Sequence, residues 1–101
     1  MAKFKIAALK DFPLPLSFLM PNGKEAKIVF TVKHVKSDEL TQLFERDASN
    51  LEFIKFIASG WDCEDEFNDE NIQELCDLFP AVPLMLPQEY MKSLSGIRVK
   101  N

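Results

Sequence analysis

Apolar residues repeat with a period of two as far as Val32 and with a period near 3.6 from Ser37 onward. The chain must therefore turn from strand to helix within a few residues. Ile28, Phe30 and Val32 share one face opposite Val29, Thr31 and Lys33, with the β-branched enrichment of a strand. Leu14 to Met20 is apolar, and Pro13 and Pro15 mark it as an edge. Between them, Pro21-Asn22-Gly23-Lys24 is a turn: proline presets φ, and Asn-Gly tolerates φ > 0. A β-hairpin from Leu14 to about Val35 is expected. Phe4, Ile6 and Ala8 alternate with Lys3, Lys5 and Ala7, which predicts a further strand near residue 5.

Helical signals fill the rest. Ser37 is expected to cap a first helix, with Asp38 and Glu39 at its positive end and Leu40, Leu43 and Phe44 on one stripe. Ser49 and Glu52 have capping-box spacing. The helix they open carries Leu51, Phe53, Ile54, Phe56 and Ile57, an arc too wide for one buried stripe. It is either the core helix or one that offers a second face to a partner. Gly60 is expected to stop it. Asp62 to Glu66 reads as an acidic loop, and Asn68 or Asp69 as the cap of a helix with Ile72, Leu75, Cys76 and Phe79 on one side. Pro80 ends that helix. Pro83 is expected at the first position of a last helix, with a kink or a fresh start at Pro87, because a proline ring meets the carbonyl four residues back. Leu86, Tyr90 and Leu94 line its face, and Gly96 stops it.

The expected fold class is α+β, mostly helical, with an N-terminal β-hairpin followed by about four helices. At 101 residues there is room for one core. Residues 1–101 are expected to form a single domain: a β-hairpin region over 1–36, a helical region over 37–96 and a basic tail over 97–101.

Charge is divided along the chain. Residues 1–36 hold seven Lys against two acids, and residues 37–79 hold thirteen acids against Arg46 and Lys55. The whole carries −4, which excludes a general nucleic-acid binder. Opposite halves of this kind attract one another within a chain or between copies. No apolar run reaches the ~18 residues of a membrane span, and none follows Met1–Lys5 to make a secretory leader. Two Cys in such a chain read as free thiols.

No catalytic, cofactor or metal site is expected. His34 is the only histidine, Cys76 falls on a buried stripe, and the carboxylates around Cys63 disfavour its thiolate. Two cysteines are too few for a structural zinc site. Asp62, Glu64 and Glu66 take positions 1, 3 and 5 of a calcium loop, but Phe67 stands where Gly is needed and Gln73 where a bidentate Glu is needed.

One ordered series of motifs remains. It runs Gly60-Trp61-Asp62, an acidic stretch, Glu66-Phe67-Asn68-Asp69-Glu70-Asn71-Ile72, Leu75, Leu78-Phe79-Pro80, Pro83, Tyr90 and Arg98-Val99-Lys100-Asn101. The first half adds the Pro21-x-Gly23 hairpin and the Ser37-Asp38-Glu39 helix start. This order resembles the small tail assembly chaperones of long-tailed bacteriophages and prophages, over residues 14–101 and most densely over 58–101. Pro87 and Cys63 depart from the family's pattern.

The resemblance implies a non-enzymatic, mainly helical, self-associating protein. Its partners would be the tape measure protein, which it would coat before the tail tube polymerises, and copies of itself, with no nucleic acid and no membrane. Its place would be the cytoplasm of the bacterial host. The partner-binding candidates are Phe53, Phe56, Ile57, Trp61 and Tyr90. Each has a second reading: Phe53, Phe56 and Ile57 as core of the wide helix, Trp61 as a cap between two helices, Tyr90 as an amphipathic residue at the core's edge. The rival function is an acidic regulatory binding protein of the anti-restriction or antitoxin type, marked by carboxylates spread over one continuous face.

Overall fold

The computed structural model describes residues 3–96. Strands β1 (Phe12–Leu19) and β2 (Glu25–Val32) form the expected hairpin, and four helices follow: α1 (Ser37–Glu45), α2 (Asn50–Ile57), α3 (Asp69–Leu78) and α4 (Ala81–Ser95). A short strand, β3 (Ala58–Trp61), continues directly from α2. The three strands make one antiparallel sheet in the order β1-β2-β3.

In the hairpin Leu14 pairs with Phe30 and Leu16 with Ile28. This register sends Leu14, Leu16, Phe18, Ile28, Phe30 and Val32 to one buried face, as the period of two requires. The turn closes where expected. Gly23 has φ 85°, a left-handed conformation that glycine adopts without steric cost. The Asn22 side chain accepts the Lys24 N–H at 3.0 Å.

The helices bury that face. Phe53, Ile54 and Ile57 of α2, Ile72 and Cys76 of α3, and Val82, Leu86 and Tyr90 of α4 join the strand residues in one core. Helix α4 lies over β1 and against α2. Tyr90 ties this layer to the chain beyond β2: its hydroxyl donates to the Lys33 carbonyl at 2.6 Å and accepts the Val35 N–H at 3.3 Å. The capping box is complete, with Ser49 accepting the Glu52 N–H and Glu52 accepting the Ser49 N–H. Asn68, rather than Asp69, caps α3 by accepting the Asn71 N–H at 2.8 Å.

Several local expectations are corrected. Residues 3–11 form no strand. They run past the Phe12–Val32 end of the hairpin, where β2 has no further strand residues to pair with them. Two side-chain contacts hold them instead: the Leu9 N–H donates to His34 Nδ1 at 2.8 Å, and the Ser59 hydroxyl donates to Asp11 at 2.6 Å.

Gly60 does not stop α2. The helix ends because Ala58 turns extended (φ −88°, ψ 139°) and its segment pairs with β2, Thr31 opposite Gly60 and Phe30 opposite Trp61. Ser37 is the first residue of α1 and not its cap. Lys36 holds that place, with its carbonyl taking the Glu39 and Leu40 N–H groups.

Pro83 is the third residue of α4, behind Pro80 as the cap and Ala81 as the first. A proline there sacrifices nothing, since first-turn N–H groups have no partner within a helix. Nor does the helix start afresh at Pro87, for α4 runs through it as one element. Gly96 ends α4 in a left-handed conformation, φ 70°, as expected. The basic tail of residues 97–101 lies outside the described residues. Among the described residues no helix is long and apolar enough to cross a membrane.

Candidate functional site

Two surface features carry exposed apolar side chains set among charges. The first surrounds Trp61. Strand β3 delivers its ring against Phe30, edge-on at 6.2 Å between centroids, and Phe67 meets it perpendicularly at 5.1 Å. The acidic loop then wraps the indole, whose Nε1–H donates to the Asp65 carbonyl at 2.8 Å. Asp62 fixes the loop's start by extending the ladder: its N–H donates to the Val29 carbonyl at 3.1 Å, and its carboxylate accepts the Val29 N–H at 2.9 Å. Asn71 fixes the end by donating to the Glu66 carbonyl at 2.7 Å. The Gly-Trp-Asp motif is thus a strand end, a ring and a latch. Trp61 both packs on Phe30 and reaches the surface.

Between this loop and α3 lies a cleft of about 220 Å³. Trp61, Leu75, Leu78 and Phe79 supply apolar walls, and Asp65 and Glu74 stand at its edge. Leu78 is 56% exposed. It falls outside the stripe of Ile72, Leu75, Cys76 and Phe79, so the periodicity that identified the buried side of α3 passed over it. Residues 61–79 hold eight Asp or Glu and no Lys or Arg.

The second feature lies between α1 and α2. Phe56, 36% exposed, borders a groove of about 160 Å³ with Leu43, Glu39, Gln42 and Arg46. Phe44 stands exposed nearby on α1 and stacks on Phe53 at 5.7 Å. Arg46 pairs with Glu52 at 3.0 Å. That guanidinium, with the Ser49 N–H, holds the Glu52 carboxyl below the usual carboxylate range.

The five partner-binding candidates do not form one patch. Phe53, Ile57 and Tyr90 are buried in the core, Phe56 borders the α1–α2 groove, and Trp61 lines the acid-edged cleft. The wide arc of α2 thus combines a core face with one surface aromatic. Phe44, Leu78, Phe4 and Ile6 are further surface apolar groups, none of them among the candidates named from the sequence. For Phe4 and Ile6 the signal is their alternation with lysines, which an exposed arm shares with a paired strand.

Neither thiol is activated. Burial raises the Cys63 thiol, with the Asp62 and Asp65 charges adding to it. Burial also raises Cys76, where Asp77 adds and Lys55 partly offsets. Among the described residues no three His, Cys, Asp or Glu side chains converge to hold a metal ion.

The family model described as phage tail assembly chaperone matches residues 1–101, the whole chain. The chain belongs to that family. No curated protein and no solved structure matches it.

Proposed function

We propose that this tail assembly chaperone acts without catalysis, by covering the apolar helical stripe of the tape measure protein in the host cytoplasm until the tail tube replaces it. Family membership supplies the frame. The observation that carries the reading is the α1–α2 groove, where Leu43 and part-exposed Phe56 line a channel edged by Glu39 and Arg46. An amphipathic helix laid in such a channel buries its apolar face while the charged edges stay wet. A long apolar-striped helix aggregates unless covered, and an acidic cover keeps the complex soluble. A groove this shallow gives moderate, reversible affinity, which the later displacement requires. Within this reading Phe56 touches the partner, Phe53, Ile57 and Tyr90 support the surface from beneath, and Trp61 serves contact between copies. The protein binds neither nucleic acid nor membrane.

The test is co-purification with the tape measure protein of the same phage at low salt. Wild type should retain it. Phe56→Ser should lose most of that retention with its helical circular dichroism unchanged. A folded Phe56→Ser variant that retains the partner as wild type does would remove this groove from the binding site.

A further inference from the structure

We infer that the cleft beside Trp61 receives the arm of residues 3–9 from a second copy of this chain. The inference rests on the reading of the protein as a self-associating chaperone and names the contact.

The arm is built to be buried but is not. Phe4 is 90% and Ile6 94% exposed, and Leu9 is largely exposed too. Side chains of this size are seldom left in water together on a monomer's surface without a use. They alternate with Lys3 and Lys5, so an extended arm turns a row of apolar groups one way and lysines the other. The cleft is the complementary surface. Its walls are Trp61, Leu75, Leu78 and Phe79, its edge holds Asp65 and Glu74, and its segment carries eight acids without a base. At about 220 Å³ it is smaller than the ~300 Å³ at which small-molecule sites begin, and it suits the insertion of a side chain. Opposite charge at the edge sets register and speeds encounter.

Geometry favours a second copy over the arm's own chain. The anchors Leu9–His34 and Asp11–Ser59 sit at the Phe12–Val32 end of the sheet. The cleft runs from Trp61, opposite Phe30, to Phe79, which packs on Phe18 near the hairpin turn at the other end. Over the six residues from Phe12 to Phe18 a strand advances about 20 Å, while Phe4 stands five residues beyond Leu9 and reaches at most about 17 Å from it. To run along its own cleft from Trp61 to Phe79 the arm would have to double back on its course past the Phe12–Val32 end, and its reach from Leu9 falls short of the Phe79 end.

Strand addition at β1 is not open to the arm. Val29 spends its N–H and carbonyl on Asp62, so Pro15, opposite Val29, faces its nitrogen outward, as does Pro13 two residues before. Two donors are missing from that edge. Arm and cleft are different surfaces, so one-way exchange propagates from copy to copy and reciprocal exchange closes a dimer.

The test uses two variants whose changed side chains lie outside the core: Phe4→Ser with Ile6→Ser, and Leu78→Lys. By sedimentation the wild-type mass should rise above 11.6 kDa with concentration and fall back with salt. Each variant alone should associate about tenfold more weakly or worse. Mixing the two should restore a complex, because one keeps its cleft and the other its arm. A peptide of residues 3–11 added to the arm variant should change the emission of Trp61, the only tryptophan, saturably and less so with Leu78→Lys added.

A wild type that stays monomeric, variants that associate like wild type, a mixture that stays monomeric, or a Trp61 signal indifferent to the peptide would each overturn the inference. Retention of the tape measure protein is read separately. An arm variant that is monomeric yet still retains the partner supports both readings. A wild type that associates through the arm but never retains the partner refutes the function and leaves this contact standing.

Discussion

Replacing Tyr90 with Phe should cost about 1–3 kcal/mol, because the hydroxyl serves two backbone groups that nothing else serves. It donates to the Lys33 carbonyl at 2.6 Å and accepts the Val35 N–H at 3.3 Å, and the side chain is fully buried. The ring's own packing, edge-on to Phe53 at 6.0 Å, survives the change. The loss is therefore polar: a carbonyl and an N–H left beneath α4. For a chain of this length, unfolding entropy of about 0.2 kcal/mol per kelvin turns 2 kcal/mol into a fall in Tm of about 10 °C.

The same burial gives a pH signature. It pushes the phenol above its ordinary value of 10, with Glu39 adding to the shift and the Val35 N–H partly offsetting it. A raised acid is protonated in the folded state where the unfolded chain has begun to lose its proton. The stability Tyr90 contributes is thus complete below pH 10 and lost as pH rises through the folded value. Tyr90 is the only tyrosine, so near-ultraviolet phenolate absorbance reads this one group. Urea unfolding followed at Trp61 gives the stability difference. A phenol that titrates at its ordinary value, or a Tyr90→Phe variant within about 0.5 kcal/mol of wild type, would refute the reasoning.

Ser49→Ala should remove the cap of α2 and lower stability by about 1 kcal/mol, measured by urea unfolding. Because the Glu52 carboxyl is held low by Arg46 and the Ser49 N–H, its contribution to wild type should be present above the ordinary carboxylate range and fade as pH falls through the depressed value. An acid titration of stability checks this, and an Arg46→Ala variant should lose part of the effect. Cys63 and Cys76, both raised by burial and neighbouring acids, should alkylate more slowly at neutral pH than a free small-molecule thiol. An equal rate at Cys63 would mean that the loop around Trp61 opens readily, and at Cys76 that α3 leaves the core. Thermal unfolding with and without a chelator should coincide, and a drop in Tm with chelator would reveal a metal among the acids of residues 62–74.

What was legible followed from signals internal to one element. The hairpin register follows from alternation and the Asn22-Gly23 turn, and α2 and α3 follow from their caps. The third strand was not legible, because Ala58–Trp61 is too short to show alternation and owes its conformation to pairing with β2. Gly60 was misread for the same reason: a glycine after an apolar helix is the usual stop, and here a strand supplies the stop instead. Of the two outcomes expected at Pro87 the fresh start does not occur, since α4 is held along its length by Val82, Leu86 and Tyr90 in the core, and packing outweighs one lost hydrogen bond. Of the residues named from the sequence as partner-binding candidates, Trp61 and Phe56 reach the surface while also packing inward, so both readings of each meet in one side chain. The cleft itself was not, because it joins β3 to the far end of α3, and no local pattern reports a meeting across that separation.

The role proposed for this chain is to keep a long apolar helix in solution. Its most direct measure is the soluble fraction of the tape measure protein of the same phage, produced with wild type, with Phe56→Ser and with no chaperone, under low salt. The partner should be largely soluble with wild type and aggregated in the other two cases. A partner equally insoluble with wild type and with none would contradict it.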